Sequence, residues 1–230
     1  MRANPFFLFI FLLSLFFSCG ENKPSSKHPF ASFFYPVEQE AKIYVYRDVI
    51  GGLDEQFHRI YSVKDNVGQH VVVERYAADG RLLEALNFNL DSLDIQDHMV
   101  VNNQQKKTQA MVYKTKYFPW NQKETTWFAT KFEGVMDSTL IFHEMKRTLR
   151  GDEALLDVMG ENQKAIKYKD KLRYTMLNPF TKKEKEINLT QYTYYAENIG
   201  LVEWKSTTNQ VHFKLEQILT QQEWVKIIAR

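Results

Sequence analysis

From Ala41 onward, apolar and polar side chains alternate every second residue. That is the period of a half-buried strand, not the 3.6-residue period of a helix. Ala41, Ile43 and Val45 interleave with Lys42, Tyr44 and Tyr46. The run Val71, Val72, Val73 leads into Arg75-Tyr76, and a second apolar run, 82–90, begins after Ala78-Asp79-Gly80. An Asp-Gly pair between two such runs predicts a hairpin, because both residues tolerate the positive φ of a primed turn. Gly51-Gly52, Asn66-Val67-Gly68 and Asn102-Asn103 punctuate other runs in the same way.

The alternation is sharpest over 164–176. Ile166, Tyr168, Leu172, Tyr174 and Met176 share one side, with Asp170 as the exception among them, and Lys167, Lys169, Lys171 and Arg173 share the other. A strand of that length spans roughly 40 Å at about 3.4 Å per residue and belongs to a curved or coiled sheet. Further strands are predicted over 111–118, 127–132, 139–149, 192–196, 201–205 and 211–219. Helix is scarce: 153–159, with Ala154, Leu155, Leu156 and Val158, suits two turns, and 221–230 reads as a helix or a last strand. No repeat or composition break divides 30–230. The prediction is one mainly β domain, a single curved antiparallel sheet forming a half-barrel or barrel, with little helix.

The first residues carry a different pattern. Arg2 precedes an apolar run, 6–17, broken only by Ser14, and Ser18-Cys19-Gly20 follows. This is the layout of a secretory signal over 1–18, too short to span a bilayer. Cys19 is the only cysteine among 230 residues. Leu15-Phe16-Phe17-Ser18-Cys19 resembles the lipobox of bacterial lipoproteins. The resemblance implies that Cys19 becomes the new N-terminus and holds the protein to a membrane through diacylglycerol and palmitate. The alternatives are an ordinary signal peptide with an incidental cysteine, or an uncleaved anchor. Residues 19–29, with Pro24, Ser25, Ser26 and Pro29, read as the lipidated cysteine and a flexible tether, with a reach of roughly 15–20 Å. Gly20 rather than Asp follows the cysteine, and Gly20-Glu21-Asn22-Lys23 holds no acidic run. Within the lipoprotein resemblance this implies the outer membrane, facing the periplasm.

Composition narrows the chemistry. Lys and Arg number 30 against 28 Asp and Glu, a formal charge of +2, so no overall field argues for nucleic acid. One cysteine excludes an internal disulfide framework and a cysteine-cluster zinc site. His28, His58, His70, His98, His143 and His212 show no metal-ligand spacing, and each is expected to be structural or at the surface. His143-Glu144 begins like a zinc-protease helix, but Arg147 stands where the second histidine belongs, in a strand-like run. Asp91, Asp94 and Asp97 lack the alternation and glycine of a calcium loop. No nucleophile elbow or phosphate loop occurs. The expectation is no catalytic residue, no metal, no cofactor and no enzyme activity.

Lys167, Lys169, Lys171 and Arg173 either meet anionic headgroups or form the wet face of a strand, and the second reading is favoured. Phe30, Phe33, Phe34 and Tyr35 either make a membrane-surface foot or plug the end of the barrel. Tyr117-Phe118-Pro119-Trp120 is a candidate exposed rim. The stretch Tyr195-Ala196-Glu197-Asn198-Ile199-Gly200-Leu201-Val202-Glu203-Trp204 is similar to a strand-turn-strand phrase of uncharacterised periplasmic and outer-membrane lipoproteins. Several of those share the LolA/LolB-like half-barrel, whose concavity holds acyl chains. The leading expectation is a non-catalytic, monomeric envelope protein that binds a hydrophobic or envelope ligand in an apolar concave face, with Ile166, Tyr168, Leu172, Tyr174 and Met176 on the inward side of the alternation as cavity candidates; no site residue is carried over from the resemblance. The alternative is a structural module that pairs with another envelope protein.

A Cys19→Ala variant tests the anchor. We expect it to leave the membrane fraction for the soluble one; retention against carbonate extraction refutes lipidation.

Overall fold

The computed structural model describes residues 27–229 apart from Gln39, Val67, Asn103, Gln105, 135–138, Asp152 and Glu153. The signal-like segment, Cys19 and most of the tether lie outside the described residues. Among the described residues there are fourteen strands: β1 (Lys42–Asp48), β2 (Gln56–Lys64), β3 (Gln69–Tyr76), β4 (Leu82–Asn89), β5 (Ile95–Val101), β6 (Lys107–Gln109), β7 (Met111–Thr115), β8 (Thr125–Glu133), β9 (Leu140–Leu149), β10 (Ala154–Val158), β11 (Glu161–Leu177), β12 (Glu184–Ala196), β13 (Gly200–Ser206) and β14 (His212–Thr220). They form one antiparallel sheet in the order β6-β5-β4-β3-β2-β1-β14-β13-β12-β11-β9-β8-β7, with β10 paired to β11. The fold is thus mainly β, a single curved sheet with little helix.

Closure comes from one length of chain. β6 and β7 are separated by Ala110 alone, yet β6 pairs with β5 and β7 with β8. The Ala110 amide donates to the His98 carbonyl of β5 at 2.8 Å. The stretch 107–115 therefore touches both ends of the sheet and brings it nearly to a closed barrel. Register shifts at Val45/Tyr46, Arg75/Tyr76, Asn87/Phe88, Val112/Lys114 and Tyr194/Tyr195 supply bulges, which bend and twist strands locally.

The hairpin at Asp79-Gly80 forms, but not through the expected primed turn: only Gly80 has a positive φ, 77°, and the Ala77 amide donates to the Arg81 carbonyl at 2.9 Å. The expected helix over 153–159 does not form. Residues 154–158 are β10, because Met159 and Gly160 take φ values of 53° and 87°. Two successive positive φ angles make a two-residue primed turn, and β10 folds back onto the start of β11. The C-terminal ambiguity resolves as α1 (Gln221–Ile228). Thr220 and Glu223 form its reciprocal capping box. Its Trp224 packs on the outer face of the sheet with Ile43, Val45, Phe57 and Tyr76. No helix among the described residues is long and apolar enough to cross a membrane.

The N-terminal segment closes one end of the barrel. The His28 amide donates to the Asp91 carbonyl at 2.9 Å, and the Asn198 amide donates to the Ser32 carbonyl at 2.7 Å. Between them a single 3-10 turn, Ala31–Phe33, drops Phe33, Phe34 and Tyr35 into the core. The Phe34 ring lies 5.1 Å from Phe88 and 5.6 Å from Phe118. Of the two readings open for Phe33 and Phe34, their burial fits the plug and not the membrane-surface foot, and Tyr117 and Phe118 are buried beneath it, which corrects the expectation of an exposed rim. Burying a large aromatic contributes more than leaving it in water, and the barrel end offers the volume. The loops at this end include 90–94, 116–124 and 197–199; the opposite end carries 49–55, 77–81, 178–183 and 207–211.

Gly200 makes the plug fit. Its φ is +100°, and a Cβ there would stand 2.4 Å from Tyr35 Cδ1. We expect Gly200→Ala to lower the unfolding free energy by about 2 kcal/mol or more, from backbone strain plus overpacking, as read by chemical denaturation. An unchanged midpoint would show that Tyr35 is free to move.

Candidate binding site

Inward positions of a barrel are normally apolar, yet here two rows of them are charged or polar. The first row crosses β2, β3 and β4, where His58, Arg75 and Glu84 stand directly opposite one another. Arg75 Nη1 donates to Glu84 Oε1 at 2.7 Å. On β5, His98 Nε2 lies 2.9 Å from Glu84 Oε2, and its Nδ1 lies 3.2 Å from Thr130 Oγ1 of β8. That last contact spans the closure. Thr130 in turn faces His143 on β9, and His143 faces Tyr174 on β11, with the two rings stacked at 4.5 Å. The polar belt therefore runs most of the way round the barrel.

The second row is deeper. Arg147 of β9 sits opposite Asp170 of β11, bonded through Nε to Oδ1 at 2.7 Å and through Nη2 to Oδ2 at 2.8 Å. Thr193 of β12 donates to the same Oδ2 at 2.8 Å. The two charged side chains are only 1% and 0% exposed. Tyr117, Phe118, Tyr168 and Tyr195 surround the guanidinium, with ring centroids 4.4 to 5.4 Å from its carbon. A bidentate fork with a third hydrogen bond and an aromatic cage meets the conditions under which a buried pair is tolerated.

Between the rows lies a cavity of about 220 Å³, bordered by both arginines, Glu84, His58, His98 and His143. It is smaller than the roughly 300–1,000 Å³ of sites for drug-sized ligands. Arg75 and Glu84 keep 35% and 24% of their side-chain surface open. Leu86, Phe128, Met145, Leu172 and Leu201 supply the apolar part of the wall. Most of the polar lining belongs to the half of the barrel away from the aromatic plug, near the starts of β2, β4 and β9 and the ends of β3, β11 and β13.

The charges are set by their surroundings. Burial alone would raise the Glu84 carboxyl, but the Arg75 charge and the His98 hydrogen bond outweigh it and hold Glu84 well below the carboxylate range. Burial lowers His143 to about 4, with Arg75 and His98 pushing the same way and Glu84 opposing. Burial and Arg75 likewise keep His58 well below its ordinary value. Burial works against the Arg147 charge too, and Asp170 overrides it. At neutral pH the lining therefore holds two matched ion pairs and the uncharged rings of His58 and His143.

The residues expected to line a cavity divide. Leu172 and Tyr174 border it. Ile166 and Tyr168 are buried in the surrounding core, and Met176 is half-buried near the strand end. The wall is not the apolar concavity expected, because inward positions of β2–β5 and β9 carry charge. Lys167, Lys169, Lys171 and Arg173 lie on the outer face; Arg173 pairs with Glu144, and Lys167 Nζ sits 4.0 Å from the Tyr192 ring centroid. Four of the six histidines, His28, His58, His70 and His98, are buried. Sequence reading missed Arg75, Glu84, His98, Arg147 and Thr193 as one interior. Asp170 was the visible signal: a charge in the apolar phase of an otherwise regular strand. Among the described residues no group of His, Cys, Asp and Glu is arranged to hold a metal ion.

No protein family and no curated protein matches this chain. Two crystal structures resemble it. One is of a "putative lipoprotein" from Parabacteroides distasonis, 13% identical, covering 81% of this chain and 98% of that one at a TM-score of 0.51. The other is of a "putative exported protein with YmcC-like fold" from Bacteroides fragilis, 14% identical, covering 82% and 100% at a TM-score of 0.46. The first shows a shared fold, an antiparallel sheet curled nearly into a barrel.

Stability should fall on acidification. Between about pH 6.5 and 4 the unfolded chain protonates His143 while the folded chain does not, so folding loses up to roughly 3 kcal/mol across that window. Glu84 acts with the same sign at lower pH: its contribution is present above about 4.3 and is lost as pH falls through its depressed folded value. Denaturant midpoints measured from pH 7.5 to 4.5 should decline, with a shallower slope in His143→Gln. An identical slope would show that His143 is accessible to protons in the folded state.

Proposed function

We propose that this chain is a non-catalytic envelope lipoprotein, anchored through Cys19 to the outer membrane and facing the periplasm, that holds a small polar ligand inside its barrel. The observation that carries the reading is the 220 Å³ cavity with a charged lining. Burying charge costs free energy unless it is paired and hydrogen-bonded, and the two ion pairs and three histidines give this interior a polar wall that an apolar ligand would leave unmatched. The signal-like start and the lipobox resemblance support the anchor. The fold shared with a protein named as a lipoprotein agrees with it. The plug supports an orientation: the tether enters beside 90–94 and 116–124, so the more polar end of the barrel points away from the membrane.

Full-length protein extracted from its own membranes in mild detergent and released in a native mass spectrometer tests the reading. We expect a reproducible low-mass polar adduct that disappears on denaturation. A bare mass, together with no uptake from a panel of periplasmic small molecules, would overturn it and favour a module that pairs with another envelope protein through its outer face.

A further inference from the structure

We propose that the ligand of this cavity presents an oxyanion, a carboxylate or a phosphate group, held by Arg75 and Arg147 with His58 and His143 beside them. The inference rests on the binding reading above and adds the ligand's chemical class. It comes from which hydrogen-bonding atoms remain unpartnered. Among the fully buried side-chain atoms of the cavity-lining residues these are Arg75 Nε, Arg147 Nη1, both ring nitrogens of His58, and His143 Nε2. Every one is a nitrogen.

The carboxylate oxygens are already engaged. Glu84 Oε1 accepts from Arg75 and its Oε2 faces His98. Asp170 accepts on both oxygens from Arg147, and on Oδ2 also from Thr193. An arginine nitrogen only donates, and a neutral imidazole has one donor and one acceptor. The unmet capacity is therefore weighted toward donors, and its complement is a group that accepts several hydrogen bonds and donates few. A carboxylate or phosphate does this; a sugar hydroxyl needs acceptors in return. Gln56 and Gln191, also in the wall, serve either ligand. Arg75 is the more open partner of its ion pair, 35% against 24% for Glu84, so the cavity meets the cation more than the carboxylate.

Charge balance adds a signature. Arg75 with Glu84 and Arg147 with Asp170 sum to zero, so a bound anion leaves the interior negative. The groups that can answer are the two neutral histidines. His143 faces Glu84 from β4, His98 from β5, Arg75 from β3 and the Tyr174 ring from β11. His58 faces Arg75, Glu84, Tyr46 and Trp204. Anion binding should therefore take up a proton, and affinity should rise as pH falls.

The test is titration calorimetry on the full chain in neutral detergent, repeated in two buffers of different ionisation enthalpy, with acetate, succinate, inorganic phosphate and, as uncharged probes, glucose and glycerol. We expect one oxyanion arm to bind, tighter by about tenfold or more at pH 5.5 than at 7.5, with proton uptake seen as a dependence of heat on buffer. Which arm binds separates a carboxylate from a phosphate ligand. Arg75→Gln should weaken it more than about tenfold. Should that variant fail to fold because Glu84 loses its partner, Arg75→Gln with Glu84→Gln removes both charges and reads the same loss. Binding of glucose or glycerol without any anion would leave the binding reading standing and refute this inference; no binding by any probe would refute both.

Discussion

The Arg147–Asp170 pair is the constraint around which the barrel is arranged. Two charges at 1% and 0% exposure are tolerable only while each remains bonded to the other, and losing one partner of such a pair costs about 3–5 kcal/mol. Their geometry depends on the register of β9 against β11 and of β11 against β12, since Thr193 supplies the third hydrogen bond. A one-residue slip in either pairing would turn the charges toward opposite faces. The pair thus makes register errors expensive along the longest strands of the sheet.

The belt above it does comparable work across the closure. Arg75, Glu84 and His98 cross β3, β4 and β5, which the sheet already pairs, and the His98–Thr130 contact carries the belt on to β8, which has no backbone ladder with β5. Side chains thus bridge the place where backbone pairing is weakest. The aromatic plug fills one end of the same interior, and what remains between belt and plug is the cavity. Polar belts and cavity are one arrangement: the charges that hold the barrel together also give its interior a chemical character.

Most of the fold was legible in alternation and turns. The strand predicted over 164–176 is β11, and the Asp79-Gly80 hairpin is where an Asp-Gly pair should be. Residues 153–159 misled because Ala and Leu fit a helix as well as an edge strand, and the deciding primed turn at Met159-Gly160 lacks the usual Asn or Asp. The site was less legible, for a physical reason. Alternation says which residues share a face but not which side of a closed sheet is inside, and Arg147, Arg75 and Glu84 read as solvated when taken one strand at a time. Their partners lie 9 to 23 residues away. Phe33 and Phe34 were ambiguous because a plug and a membrane foot have the same composition.

The strand shared between the two ends of the sheet has a consequence for association. The path through the sheet ends in β6 and β7, three and five residues long, and both belong to the same stretch of chain. The open main chain lies elsewhere, on β10, which pairs only with β11, and on 184–190 of β12, beyond its pairing with β13, and strand addition by a second polypeptide is confined to those edges. Away from those two edges, a protein that recognises this one reads side chains, on an outer face where rows of lysine lie among tyrosine and tryptophan rings.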